Sequence, residues 1–192
     1  MPDNRELEQE KRLIESAKED PDNFVALYDK YVDQIYRYVY RRASGDKNVT
    51  HDLVSQTFLD ALANIKKFQW QGYPFSSWLY KIAHNNVIRW YREVGKVRNV
   101  PLEEARHVSN KEQTQKQQLE SVMAGEQIKE ILSKLDDEEQ EILRLKFFEE
   151  LSNVEIADIM GLSVSNVGVK VFRTLKKAKG LLPSKKELKK LD

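Results

Sequence analysis

With 192 residues, 40% of them apolar and 33% charged, the chain has the content for one or two small globular domains. It has no cysteine, which excludes disulfide frameworks, thiolate metal sites and cysteine nucleophiles and is compatible with a reducing compartment, so a cytoplasmic location is expected. The formal net charge is only +1, but it is unevenly placed: residues 126–160 carry eleven acids against four bases, and residues 161–192 carry nine bases against two acids. A second basic stretch, 66–98, holds Lys66, Lys67, Lys81, Arg89, Arg92, Lys96 and Arg98 against Glu93 alone. Clustered bases of this kind either face polyanions or form solvated helix faces.

The opening MPDNRELEQEKRLIES lacks the apolar centre of a signal peptide. No run approaches the roughly 18 consecutive apolar residues that span a bilayer, and no membrane insertion is expected. Residues 1–9 read as a tail. Phe24, Leu27, Tyr28, Tyr31, Val32, Ile35 and Val39 then follow the i, i+3, i+4, i+7 spacing of an amphipathic helix. Ser44, Gly45 and Asp46 break it, Asn48 is the expected N-cap of the next helix, and Val54, Phe58, Ala61, Leu62 and Ile65 mark its apolar stripe. Gly72 and Pro74 punctuate a loop from residue 69 to 74. Ser76 or Ser77 is expected to cap a third helix bearing Trp78, Leu79, Ile82, Ala83, Val87 and Ile88. These helices form a first bundle over 10–95.

Residues 96–123 are polar and rich in Gln, Lys and Glu, and read as a linker that extends to about 90 Å at most. Ile128, Ile131, Leu132 and Leu135 open a second unit, 124–182, followed by a basic tail at 183–192. Asp136 with Glu139, and Ser152 with Glu155, both have capping-box spacing and locate two helix starts. The first helix carries Ile142, Leu143, Leu145, Phe147 and Phe148, and the second Val154, Ile156, Ala157, Ile159 and Met160. Gly161 supplies a turn, Leu162 packs inward, and Ser163 caps a third helix with Val164, Val167, Val171, Leu175 and Ala178. A short helix, a glycine turn and a longer helix with a basic side is the arrangement of a helix-turn-helix. No segment alternates with period two, so the expected fold class is all-α: two small helical domains joined by a polar linker.

A recognition helix needs polar or basic side chains near its N-terminus for base edges and further bases for phosphates. Ser163, Ser165, Asn166 and Lys170 meet the first need; Arg173, Lys176, Lys177 and Lys179 meet the second. In the first bundle, Lys66 and Lys67 lead into Phe68, Trp70 and Tyr73, and Arg89, Trp90, Tyr91 and Arg92 follow. Interleaved bases and aromatics hold single strands, with phosphates on Lys and Arg and unstacked bases on rings. Phe68 and Trp78 read better as core residues. Trp70 and Tyr73, beside Gly72 and Pro74, are harder to bury.

The stretch from Asp52 to Phe58, DLVSQTF, resembles the polymerase-clamp helix of sigma-70 region 2, usually D-L-V-Q-E-T-F, with Ser55 in place of Gln and Gln56 in place of an acid. FVALYDKYVDQIYRYV resembles the opening helix of that region, and PFSSWLYKIAHNNVIRWYRE its promoter-melting segment. LDDEEQEILRLKFFEELSNVEIADIMGLSVSNVGVKVFRTLKKA resembles region 4, with Asn166, Gly168, Lys170 and Thr174 in place of the usual Thr, Lys, Arg and Ala. The length leaves no room for a region 1 extension or a globular region 3, which points to the extracytoplasmic-function (ECF) class.

That resemblance implies a sigma factor that binds core RNA polymerase through Asp52, Leu53, Ser55, Gln56 and Leu59. It implies capture of the melted minus-ten element by Lys66, Lys67, Gln69, Trp70, Gln71, Tyr73, Asn85, Arg89 and Arg92, and reading of the minus-thirty-five element by Ser163, Ser165, Asn166, Lys170, Arg173 and Lys177. An anti-sigma factor is the further partner it implies, beside promoter DNA as duplex and melted strand.

An enzyme is the first alternative, but His51, His84 and His107 are the only histidines and are far apart, and no phosphate loop, serine elbow or carboxylate pair is present. No catalytic residue, metal site or cofactor is expected. The second alternative is a non-sigma regulator whose N-terminal bundle senses or dimerises while only the C-terminal unit touches DNA. The third is a degenerate sigma relative that binds core polymerase but melts DNA poorly, as the departures at Ser55, Gln56 and Gly168 suggest.

Overall fold

In the computed structural model, residues 4–95 and 130–181 are described, and the predicted linker 96–123 and basic tail 183–192 lie outside them. The chain divides into two compact units, both helical, and no strand occurs among the described residues.

The first unit consists of α1 (Asn4–Glu19), α2 (Val25–Arg42), α3 (Lys47–Asn64) and α4 (Phe75–Gly95), with 3₁₀ turns at Pro21–Phe24 and Ile65–Lys67. Residues 4–9, expected as tail, are the first turns of α1. Their inward stripe is Leu7, Glu10, Ile14 and Ala17, and the carboxylate in the middle of it breaks the apolar periodicity by which the helix would have been read. Helix α2 buries Leu27, Tyr31, Ile35, Tyr38 and Val39, in close agreement with its apolar spacing. Ser44 and Gly45 turn the chain at φ 54° and 79°, and Asp46, not Asn48, caps α3: its Oδ1 accepts from the amides of Asn48 at 2.9 Å and Val49 at 3.1 Å. The helix thus starts one residue before the expected cap, and Asn48 lies exposed in its first turn.

Helix α3 buries two threonines among its apolar residues, Thr50 and Thr57. Each hydroxyl donates to the carbonyl four residues back, Asp46 at 2.5 Å and Leu53 at 2.7 Å, which lets a polar group enter the core satisfied. Helix α4 packs across α2 and α3. Its core partners are aromatic: the Tyr38 and Tyr80 rings meet edge-on at 5.2 Å, and Phe68, Phe75 and Trp78 form a mutual cluster at 5.0–5.3 Å. Phe68 and Trp78 are therefore half-buried packing residues, as their sequence context suggested. Ser76 and Ser77 do not cap α4, because the helix begins at Phe75 and both serines sit inside its first turn.

The second unit holds α5 (Asp137–Phe147), α6 (Asn153–Met160) and α7 (Val164–Leu181), with α5 packed on α7. Both capping boxes are closed in both directions. The Glu139 amide donates to Asp136 at 2.8 Å while the Asp136 amide donates to Glu139 at 3.0 Å; the Glu155 and Ser152 amides make the equivalent bonds at 3.3 and 2.8 Å. Gly161 ends α6 in the left-handed region at φ 66°, where a side chain would be strained. The core is Leu135, Ile142, Leu143, Leu145, Leu151, Ile156 and Val167.

Several apolar residues assigned to helix stripes in this unit are exposed instead: Phe147, Phe148, Val154, Val164 and Leu175. On α7 the inward line runs through Val167 and Thr174, both buried, with half-buried Val171 and Ala178 between and beyond them. Spacing of 4, 3 and 4 residues follows the 3.6 period and turns Leu175 outward, so Thr174, at 2% exposure, takes the core position.

Candidate nucleic-acid interface

The exposed side of α3 presents Asp52, Ser55, Gln56 and Leu59, spaced so that they line one stripe. Leu59 is 59% exposed, so its side chain is available to a protein contact. Leu53, expected in the same set, is only 9% exposed and packs in the core; its position on α3 turns it inward, so it supports the stripe from beneath. Gln56 donates from Nε2 to Asp60 Oδ1 at 2.7 Å, one turn along the helix. The other Asp60 oxygen accepts from buried Asn86 of α4 at 3.0 Å and lies 3.7 Å from the Arg89 guanidinium. A neutral amide at position 56 is compatible with this carboxylate, whereas an acid there would repel it.

The loop from 69 to 74 is pinned at both ends. Phe68 before it and Phe75 after it meet edge-on at 5.3 Å, and the segment between them is displayed at the surface. Gln69, Gln71 and Tyr73 are exposed and Trp70 is half-buried. Gly72 has φ 81°, a backbone conformation that side chains other than glycine rarely adopt. Lys66 and Lys67 stand exposed on the 3₁₀ turn that enters the loop, with Lys67 Nζ 3.4 Å from Asn64 Oδ1. On α4, Asn85, Arg89 and Arg92 recur at i, i+4 and i+7 and are all exposed, so they share one helix face. Arg89 also donates to Asn86 Oδ1. Asn86 and Asp60, which hold it, were missed in the sequence because their role rests on contacts between two helices.

In the second unit, Ser163 caps α7, accepting from the Asn166 amide at 3.2 Å, and its hydroxyl lies 3.2 Å from that of Ser165. Ser163, Ser165, Asn166 and Arg173 are exposed at the start and along the outer side of the helix. Lys170 and Lys177 are turned toward α5, where Lys170 pairs with Glu138 at 2.7 Å and Lys177 pairs with Glu139. Among the exposed residues of this helix the sequence reading passed over Val169 and Phe172, the latter 69% exposed. Apolar groups on a recognition helix suit thymine methyls, and the only sequence signal was their failure to fit the inward stripe. Gly168 lies against Asn153 of α6; an added Cβ would meet Asn153 Nδ2 at 3.7 Å, an ordinary contact. Packing therefore does not require glycine there.

The described residues contain no group of three or more side chains suited to a metal ion, and no described helix is long and apolar enough to cross a membrane.

Comparison with known proteins agrees with this division of the chain. Residues 27–97 match the family model for Sigma-70 region 2, and residues 125–177 that for Sigma-70, region 4. The ECF RNA polymerase sigma factor BldN of Streptomyces coelicolor is 31% identical over 172 residues, covering 89% of this chain and 65% of BldN, so the chain spans somewhat less than two thirds of that relative. The RNA polymerase sigma factor YlaC of Bacillus subtilis is 32% identical over 168 residues, covering 86% of this chain and 96% of YlaC. Among solved structures, CnrH in complex with the cytosolic domain of CnrY has a similar fold, with a TM-score of 0.63 at 22% identity over 90% of this chain and 96% of that one. RpoE in complex with the anti-sigma factor NepR from Bartonella quintana gives 0.61 at 22% identity over 83% and 96%. With a region 2 bundle followed by a region 4 helix-turn-helix, and YlaC matched over nearly its full length, this chain belongs to the sigma-70 family, in its extracytoplasmic-function class.

Proposed function

We propose that the chain binds core RNA polymerase and directs it to specific promoters as a non-enzymatic initiation subunit, with the two units dividing the work. The observation that carries this reading is the pairing, within one chain, of an exposed surface of interleaved bases and aromatics on the first unit with a helix-turn-helix on the second. Asp52, Ser55, Gln56 and Leu59 dock on the polymerase clamp, with Leu53 as their buried support. Lys66, Lys67, Gln69, Trp70, Gln71, Tyr73, Asn85, Arg89 and Arg92 hold the melted minus-ten strand, the rings stacking on bases and the cations meeting phosphates. Ser163, Ser165 and Asn166 read base edges of the minus-thirty-five duplex. Arg173, with Lys170 and Lys177 after they leave their carboxylates, holds its backbone.

Since RpoE was solved with an anti-sigma factor, a cognate antagonist that covers these faces is the expected further partner. The test is run-off transcription with bacterial core polymerase from a related source, on the promoter region of this protein's own gene and on known ECF promoters. Transcripts that depend on the chain and fall with Asp52→Ala support the assignment. DNA binding without core association or transcripts would transfer it to a non-sigma regulator.

A further inference from the structure

The first amides of a helix have no intrahelical acceptor, and the residue before the helix usually supplies one from its side chain. The residue before α4 is Pro74, which has no side-chain oxygen, and the expected serine caps lie inside the helix. The acceptor comes from elsewhere in the chain. Glu10 of α1, 2% exposed, accepts through Oε1 from the Phe75 amide at 2.7 Å, across 65 positions of sequence. The same oxygen accepts from the Tyr31 hydroxyl of α2, and Lys30 Nζ stands 3.6 Å from the other. A carboxylate at a helix N-terminus also meets the positive end of the dipole. Burial, then the bond to Glu10 and its charge, push the Tyr31 hydroxyl well above the usual tyrosine range, which keeps it a donor.

Phe75 is the residue at which the loop from 69 to 74 ends. Its ring is held by Phe68, Trp78 and Tyr31, and its amide by Glu10. We infer that Glu10 is a positioning residue for promoter-strand capture: its carboxylate caps α4 from α1 and fixes the exit of the loop that carries Trp70 and Tyr73. Helix α1 ends before residue 27, where the match to region 2 begins, so this support comes from outside the matched segment. The inference rests on the proposed role of that loop in holding the minus-ten strand.

The experiment uses the full chain assembled with core polymerase. The probe is a labelled single-stranded oligonucleotide bearing the minus-ten region of a promoter from which the wild-type holoenzyme initiates. Glu10→Ala is expected to weaken strand binding on the order of tenfold, the loss of a charge-assisted bond, while core association and minus-thirty-five duplex binding stay unchanged. Glu10→Gln, whose amide oxygen still accepts, restores most of the affinity. Where the alanine protein does not fold, Glu10→Asp keeps the charge but draws the carboxylate back by one methylene, and it should show the same selective loss. Strand binding equal to wild type in a folded alanine or aspartate variant overturns the inference, as does a parallel loss of strand and core binding, which would make Glu10 a fold residue only. The double change Trp70→Ala with Tyr73→Ala is the control: if it leaves strand binding intact, the loop's proposed role is wrong and the inference goes with it.

Discussion

The two units differ in how the helices of their candidate sites are started and aligned. In the second, helix starts are fixed by residues three positions apart, Asp136 with Glu139 and Ser152 with Glu155, and a single left-handed glycine sets the turn. In the first, α4 starts on a carboxylate 65 residues away, Asn86 reaches Asp60 between helices, and the Tyr91 hydroxyl donates to the Arg42 carbonyl of α2. A duplex reader needs one rigid helix presented at a set angle, which local rules can build. A strand-capturing surface is assembled from a loop and several helix faces, and long-range bonds must align it.

That contrast is open to experiment. The largest effect is expected from Ile35→Ala, which empties a fully buried position in the four-helix core: a loss of about 3 kcal/mol, read as a lower unfolding midpoint of the first unit with the second unit unmoved. Coupled loss of both units would show that they do not fold independently. Ser152→Ala should remove about 1 kcal/mol from the second unit alone, since a local cap has only local reach; urea titration followed by circular dichroism measures it. Gly168→Ala should stabilise α7 by up to about 1 kcal/mol, because the site accepts a Cβ, with minus-thirty-five binding by fluorescence anisotropy unchanged. Weaker DNA binding in that variant would indicate close approach of the DNA backbone to this position. The smallest effect is that of Gln56→Glu: a carboxylate one turn from Asp60 should cost about 0.2–0.5 kcal/mol in thermal stability while strengthening core association in a pull-down titration.

Legibility in the sequence follows the same division. The capping boxes, the glycine turn and the recognition helix start at Ser163 were readable because each depends on a short spacing. The stripe of α2 was readable from its period, whereas the α3 set was implied by the resemblance to region 2, and all of it except Leu53 lies on the exposed side of the helix. Helix α1 was not read as a helix, because a buried acid in its inward stripe looks like a surface residue until its partners are known. Neither the cap of α4 nor the Asp60 cluster had any local signal. Leu175 and Thr174 were exchanged because apolar character was weighted above the helical period, and the threonine is the one that lies inside.

The lysine–glutamate pairs across α5 and α7 bear on how salt affects duplex binding. Each cation that meets a phosphate releases counterions condensed on DNA, and affinity normally falls with salt in proportion to the number of such contacts. Lys170 and Lys177 already have carboxylate counterions covalently attached to the protein, Glu138 and Glu139, and engaging DNA exchanges one anion for another while leaving two glutamates to be hydrated or screened. Added salt opposes the phosphate contacts but also loosens these internal pairs. The second unit should therefore lose minus-thirty-five affinity less steeply with ionic strength than its count of basic residues implies.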